Sequence, residues 1–236
     1  EKIKSKGYWR ILFEPNTFKT KLDPLRRCKE TVESNSLELR GWDYPHIPKR
    51  TGSDTGLEPG ENYWQGWLDW EGENHKELWR MYQSGQFIHY LALREDWTPG
   101  GIKANSMWND NKVLEDKTGL GVTGTVFQVT EIYEFLTRLT REGLYDEGVK
   151  ITITLNNTKD RILFVDSYNR IPFSYDRKTT ADSITFTKEL SKEEILKRGQ
   201  EIAIETMVYI FERFDWDPPN LEVIKQDQNN LLTGKI

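Results

Sequence analysis

Apolar and polar positions follow one another along this chain in runs that predict its elements in turn. Tyr8-Trp9-Arg10-Ile11-Leu12-Phe13 is rich in aromatic and β-branched residues and is closed by Pro15, which predicts a strand. Asp23-Pro24 sets an N-cap before a proline at the first helical position, and Leu25, Cys28 and Val32 follow at helical spacing. Leu37 to Trp42 reads as a second strand, stopped by Gly41 and by Pro45 and Pro48. Residues 49–61 have the composition of a surface loop, and Tyr63 to Trp70 reads as a strand dense in aromatics. Asn74-His75-Lys76-Glu77 matches a capping box, predicting a helix that turns Leu78, Met81 and Tyr82 inward and ends at Ser84-Gly85. Phe87 to Asp96 reads as the next strand.

The glycine-rich segment 98–124 is long enough to be a lid or a linker between subdomains. Beyond it Ile132, Phe135, Leu136 and Leu139 form a helical stripe over 129–142. Val149, Ile151, Ile153 and Leu155 alternate with Lys150, Thr152, Thr154 and Asn156, a strand with one wet face; Arg161 to Asp166 is its expected hairpin partner. Ser183 to Thr187 reads as a short strand, and Ser191-Lys192-Glu193-Glu194 opens the longest helix, over 191–213. After Pro218-Pro219 the chain reads as a polar tail. The fold class this implies is α+β: an aromatic-rich, mainly antiparallel half over 1–124, a half in which a sheet is packed by two longer helices over 125–216, the two free to share one core, and a tail over 217–236.

Charged residues make up 30% of the chain, yet aromatics reach 12%, far too many for a disordered polymer. The net charge of −5 disfavours a general nucleic-acid or membrane-surface binder without excluding a local basic patch. One cysteine, Cys28, allows no internal disulfide and fits a cytoplasmic setting, and no apolar run nears the ~20 residues that span a bilayer. The chain opens on Glu1, which reads as a fragment of a longer chain or one lacking its leader.

Eight of the nine tryptophans precede residue 110, and four of them lie close to an arginine: Trp9-Arg10, Arg40-Gly41-Trp42, Trp79-Arg80 and Arg94 with Trp97. A guanidinium fork grips carboxylate or phosphate and stacks on an indole, so these are parts for holding a planar anion or a segment of a partner protein. The opposing account makes the tryptophans core and clamps the arginines on Asp43, Asp69, Glu95 or Asp96. His46, His75 and His89 share no metal-ligand spacing. Asp166 with Asp176-Arg177-Lys178, and Asp96 with Asp110-Asn111-Lys112, fit a Mg²⁺ nuclease pattern only loosely. No phosphate loop, nucleophile elbow or dinucleotide fingerprint is present.

Gly7-Tyr8-Trp9-Arg10, Leu39-Arg40-Gly41-Trp42-Asp43-Tyr44-Pro45-His46, Glu77-Leu78-Trp79-Arg80, Tyr82-Gln83-Ser84-Gly85-Gln86-Phe87 and Arg94-Glu95-Asp96-Trp97 together resemble a family of uncharacterised bacterial proteins. The resemblance covers roughly the first hundred residues. It implies a bacterial source, carries over no assigned activity or catalytic residue, and groups Arg40, Trp42, Trp79, Gln86 and Arg94 in one unit. The expectation is therefore a non-enzymatic recognition or sensor module of a larger protein or complex. Its partners would be a protein segment, a fused domain or a nucleotide-like anion, without cofactor, metal or catalytic residue. The candidate ligand-binding residues are Arg10, Arg40, Trp42, His46, Trp79, Arg80, Gln86, His89, Arg94 and Trp97. The rival readings are a metal-dependent nuclease or hydrolase (through Asp166, Asp176 and Lys178, or His46 and His89) and an oligomerisation domain.

Overall fold

The structure is a computed structural model that describes residues 1–72, 74–98, 102–104, 112–114, 118–167 and 170–235. Its strands and helices run β1 (Tyr8–Pro15), α1 (Arg26–Asn35), β2 (Thr55–Pro59), β3 (Tyr63–Trp70), β4 (His75–Tyr82), β5 (Phe87–Ala92), β6 (Ile102–Ala104), β7 (Lys112–Leu114), β8 (Gly119–Gly121), α2 (Val122–Arg141), β9 (Val149–Asn156), β10 (Ile162–Phe164), β11 (Arg177–Lys178), β12 (Ser183–Leu190), α3 (Lys192–Glu212) and α4 (Leu221–Leu232). A seven-stranded sheet, ordered β12-β9-β1-β5-β4-β3-β2, is antiparallel throughout. This is an α+β fold. No helix among the described residues is long and apolar enough to cross a membrane.

Period-two patterning sets the two faces of the sheet. On β1, Trp9, Ile11 and Phe13 are buried, while Tyr8 and Arg10 turn to the other side and are half-buried. The helices gather on the first side: Phe135 of α2 meets Phe13 and Phe87, Tyr209 of α3 meets Phe186 edge-on, and Lys29 of α1 lies over Trp64. α4 packs on α2. β1 lies between β5 and β9, so strands from both sides of residue 124 share one sheet, and Trp79, Phe135, Ile153 and Phe211 belong to one hydrophobic cluster.

Several predicted elements differ. The helix expected after Asn74 is strand β4. Glu77, Trp79 and Met81 are buried at alternate positions against β3 and β5, and cross-strand pairing outweighs the local capping motif. Gly85, with φ +85°, turns the β4–β5 hairpin instead of closing a helix. The strand expected over 37–42 reduces to one bridge, Leu37 with Tyr44, because Gly41 at φ +81° reverses the chain between them. Segment 49–61 contains edge strand β2. Strand β5 stops at Ala92, and a 3₁₀ turn over Arg94–Trp97 follows.

The segment 98–124 contributes β6, β7, β8 and the first turn of α2; Trp108, Asp110 and Asn111 lie outside the described residues. Helix α2 begins at Val122, well before the predicted 129, although Val122-Thr123-Gly124-Thr125 is a poor helix former. Its start is held from afar by the Asp166 carboxylate, which accepts the N–H groups of Thr123 at 2.7 Å and Gly124 at 2.8 Å. Arg161–Asp166 is no hairpin partner of β9, whose two edges are taken by β1 and β12; β10 pairs instead with β8 and β11. The polar tail is helix α4, capped by Asn220 and seated through Ile224 and Leu231.

Candidate functional site

The region around Trp42 joins the loop 39–46, the carboxyl end of β5, the start of β4 and the first turns of α2. Here a small, partly open chamber of about 90 Å³ is bordered by Arg40, Trp42, Tyr44, His75, Glu77, Arg94, Glu95 and Gln128. On its other side Trp42 borders an open hollow of about 590 Å³, shared with Glu38, His46, Lys49, Arg50 and Trp70. Trp42 and Asp43 thus border both a small space and one the size of a ligand body.

Two guanidiniums lie against that indole: Arg40 at 5.2 Å and Arg94 at 4.9 Å from the ring centroid. The His75 ring meets it edge-on at 6.3 Å. Arg40 is gripped by Glu131 of α2 through Nε at 2.9 Å and through a second, shorter contact from Nη2. Its Nη2 also donates to Gln128 Oε1 at 3.3 Å. Gln128 is only 7% exposed, and among the described residues its amide nitrogen makes no hydrogen bond of full geometry, the Tyr44 hydroxyl being near enough to feel it as a donor. A buried donor short of a full hydrogen bond costs up to about 3 kcal/mol, so this position favours an incoming acceptor.

Behind the chamber all three histidines of the chain collect on one carboxylate. Glu77 Oε2 contacts His75 Nε2 at 2.8 Å and lies 3.7 Å from His89 Nε2, while Oε1 accepts the backbone N–H of His46 at 2.7 Å. Burial alone pushes Glu77 up, but the histidine hydrogen bonds and charges overcome it and hold the carboxyl far below its ordinary range. His46 makes a second histidine–carboxylate pair, Nδ1 to Asp43 Oδ1 at 2.6 Å, and this hydrogen bond raises its pKa. Glu95 is raised, chiefly by burial and further by the nearby Asp166 charge; Glu131 is raised by burial despite Arg40.

The ten candidates separate accordingly. Arg40, Trp42 and Arg94 meet at the chamber, and His46 lines the hollow beside it. His89 is fully buried, 3.3 Å from the Tyr44 hydroxyl. Trp79 is fully buried and donates its indole N–H to the His46 carbonyl at 2.8 Å. Arg10 and Arg80 lie on the sheet face away from the helices, and Gln86 lies in the β4–β5 turn. Trp97 sits under Lys6 at 4.3 Å and Lys76 at 4.6 Å. Of the acids expected to clamp arginines, Asp43 holds His46, Asp69 holds Lys2 and Lys76, and Asp96 holds Arg161.

No family model, no curated protein and no solved structure matches the chain.

Sequence reading passed over Glu77, Gln128 and Glu131. Glu77 reads as part of a capping box, Gln128 lies just before the helix expected over 129–142, and Glu131 sits among that helix's buried positions. A polar residue within a buried stripe was the available signal. Among the described residues no group of three His, Cys, Asp or Glu is arranged to hold a metal. Asp166 is committed to the start of α2, and Lys178 is exposed on β11.

Proposed function

We propose that this chain is a recognition module for a small anionic molecule with a flat body. The anionic group enters the chamber, and the body rests on Trp42 and the half-exposed Trp70 in the hollow. One observation carries the reading: the Arg40 and Arg94 guanidiniums both lie against the Trp42 indole and line the same chamber, with the buried Gln128 amide beside them. The ligand is the chemistry that uses those groups together, a carboxylate or phosphate on a planar ring system. A setting as the sensor part of a larger bacterial protein accords with the family resemblance and adds nothing about the ligand.

Calorimetric titration with a panel of mononucleotides and aromatic carboxylates tests this. Binding of at least one member is expected, lost in Trp42→Ala and Gln128→Leu with little change in melting temperature, and retained in Arg80→Ala. Binding that survives both chamber variants would sink the reading.

An acid–base enzyme is the second reading, favoured by the His46–Asp43 pair facing the hollow. Hydrolysis of a bound panel member, abolished by His46→Ala while affinity persists, would replace recognition with turnover.

A further inference from the structure

The other face of the seven-stranded sheet carries a second arrangement. Cross-strand register lines up Arg10, Tyr90, Leu78 and Trp67 as one rung over β1, β5, β4 and β3, and Leu12, Ile88, Arg80 and Gln65 as the next. Trp67 spreads over β2, where a Cβ on Gly56 would come within 2.3 Å of its indole. Tyr8 lies 6.2 Å from Tyr90, and Tyr63 5.2 Å from Tyr82, centroid to centroid, extending the aromatic floor at both ends. The ring contacts of α1, α2 and α3 are all with the opposite side.

The charges on this floor are unequal in their partners. Glu14 has Lys150 at 3.8 Å, Asp69 has Lys2 and Lys76, and Glu58 is held by Gln65 at 2.7 Å. Arg10 pairs with no carboxylate among the described residues. Among the described residues Arg80 bonds only the neutral Gln65 at 2.8 Å and stacks at 4.8 Å on Tyr63, and Lys4 rests 5.1 Å above Tyr90. Between β1 and β3, cations without an ionic partner therefore lie among flat rings.

We infer that this face binds single-stranded nucleic acid. Rings accept unpaired bases whatever their identity, and Arg10, Arg80 and Lys4 meet the phosphates. A duplex keeps its bases stacked inside and offers nothing to the aromatic floor. The chain's net charge of −5 confines the attraction to this patch and makes it sensitive to salt.

Fluorescence anisotropy of a labelled oligothymidylate of about 15 nucleotides tests the inference, with a blunt duplex of equal length beside it. The single strand is expected to bind saturably at low salt, with log affinity falling against log salt at a slope of about −2 for three phosphate contacts. Tyr90→Leu or Trp67→Ala weakens binding about tenfold. Arg10→Ala makes the slope shallower by about 0.7 without altering the melting temperature, and Arg198→Ala on α3 changes neither. No anisotropy change at low salt, equal binding of the duplex, or binding untouched by Arg10→Ala and Tyr90→Leu overturns it. So does a dimer in sedimentation that those two substitutions dissociate, since a second copy would then cover the face.

Discussion

The backbone N–H of His46 donates to Glu77 Oε1 at 2.7 Å, and two residues along β4 the Trp79 indole N–H donates back to the His46 carbonyl at 2.8 Å. One loop residue is thus held at both its backbone polar groups by one strand, and the loop so fixed carries Trp42. Glu77→Ala strips the acceptor from His46 and leaves His75 and His89 without their carboxylate. A loss of about 3 kcal/mol is expected in urea denaturation. Glu77→Gln keeps an acceptor for the His46 N–H and should lose less; equal losses would show that this hydrogen bond contributes nothing beside the charge.

The His46–Asp43 pair makes stability depend on pH in a defined direction. The hydrogen bond to Asp43 raises His46, so its contribution is complete below about pH 6.5 and fades as pH climbs through the folded value. Burial pushes Asp43 up, but the His46 ring and the Ile47 N–H bring it below its ordinary range. Its share is present above about pH 4 and fades on acidification. The melting-temperature difference between wild type and Asp43→Asn should peak between about pH 4 and 6.5 and shrink towards about pH 9. A difference constant across that range would contradict the pairing.

Arg161 is 1% exposed in its side chain and grips Asp96 through two bonds of 2.7 and 2.6 Å, with the Gly119 carbonyl as a further acceptor. Arg161→Ala leaves the buried Asp96 carboxylate without a cation, held only by the Gly7 N–H at 2.7 Å, at a cost of about 3–5 kcal/mol. Chemical denaturation measures it, and a change below about 1 kcal/mol would show the carboxylate finding water.

Gly66 faces the helices directly beneath Trp79, where a Cβ would come within 2.6 Å of the indole. Gly66→Ala is expected to lower stability by about 1–3 kcal/mol through overpacking. Near-ultraviolet dichroism should report the displaced indole.

Cys28 is fully buried on α1, and burial pushes its thiol up to about 11. A thiol reagent at neutral pH should leave the native protein untouched and react fully once denaturant is added. Rapid native labelling would mean that α1 opens.

Much of the chain was legible from pattern alone. β1, β9, β12, α1 and α3 follow from period-two or period-3.6 spacing, because each buries one face and the spacing of its side chains records which, while β3 is legible from its aromatic content, Gly66 being its one buried residue. α4 carried the same kind of stripe in Ile224 and Leu231 behind a capping asparagine, but its polar composition concealed it. β4 was misread because a capping box and a buried strand share the same letters, and the choice between them rests with the neighbours β3 and β5. The start of α2 is fixed by Asp166, forty-two residues beyond Gly124, which no local window contains.

Sequence by itself determined the α+β class and the amphipathic elements, and placed arginine beside tryptophan along the chain around position 42. Tertiary structure alone decided which arginines meet which indole: alternation turned Arg10 and Arg80 to one side of the sheet, while the loop reversal at Gly41 carried Arg40 and Trp42 to the other. The physical reason is that spacing along a chain sets which face a side chain occupies. Which faces meet, and which distant carboxylate closes on a given cation or histidine, is set by strand order and helix packing, and these depend on the whole chain at once.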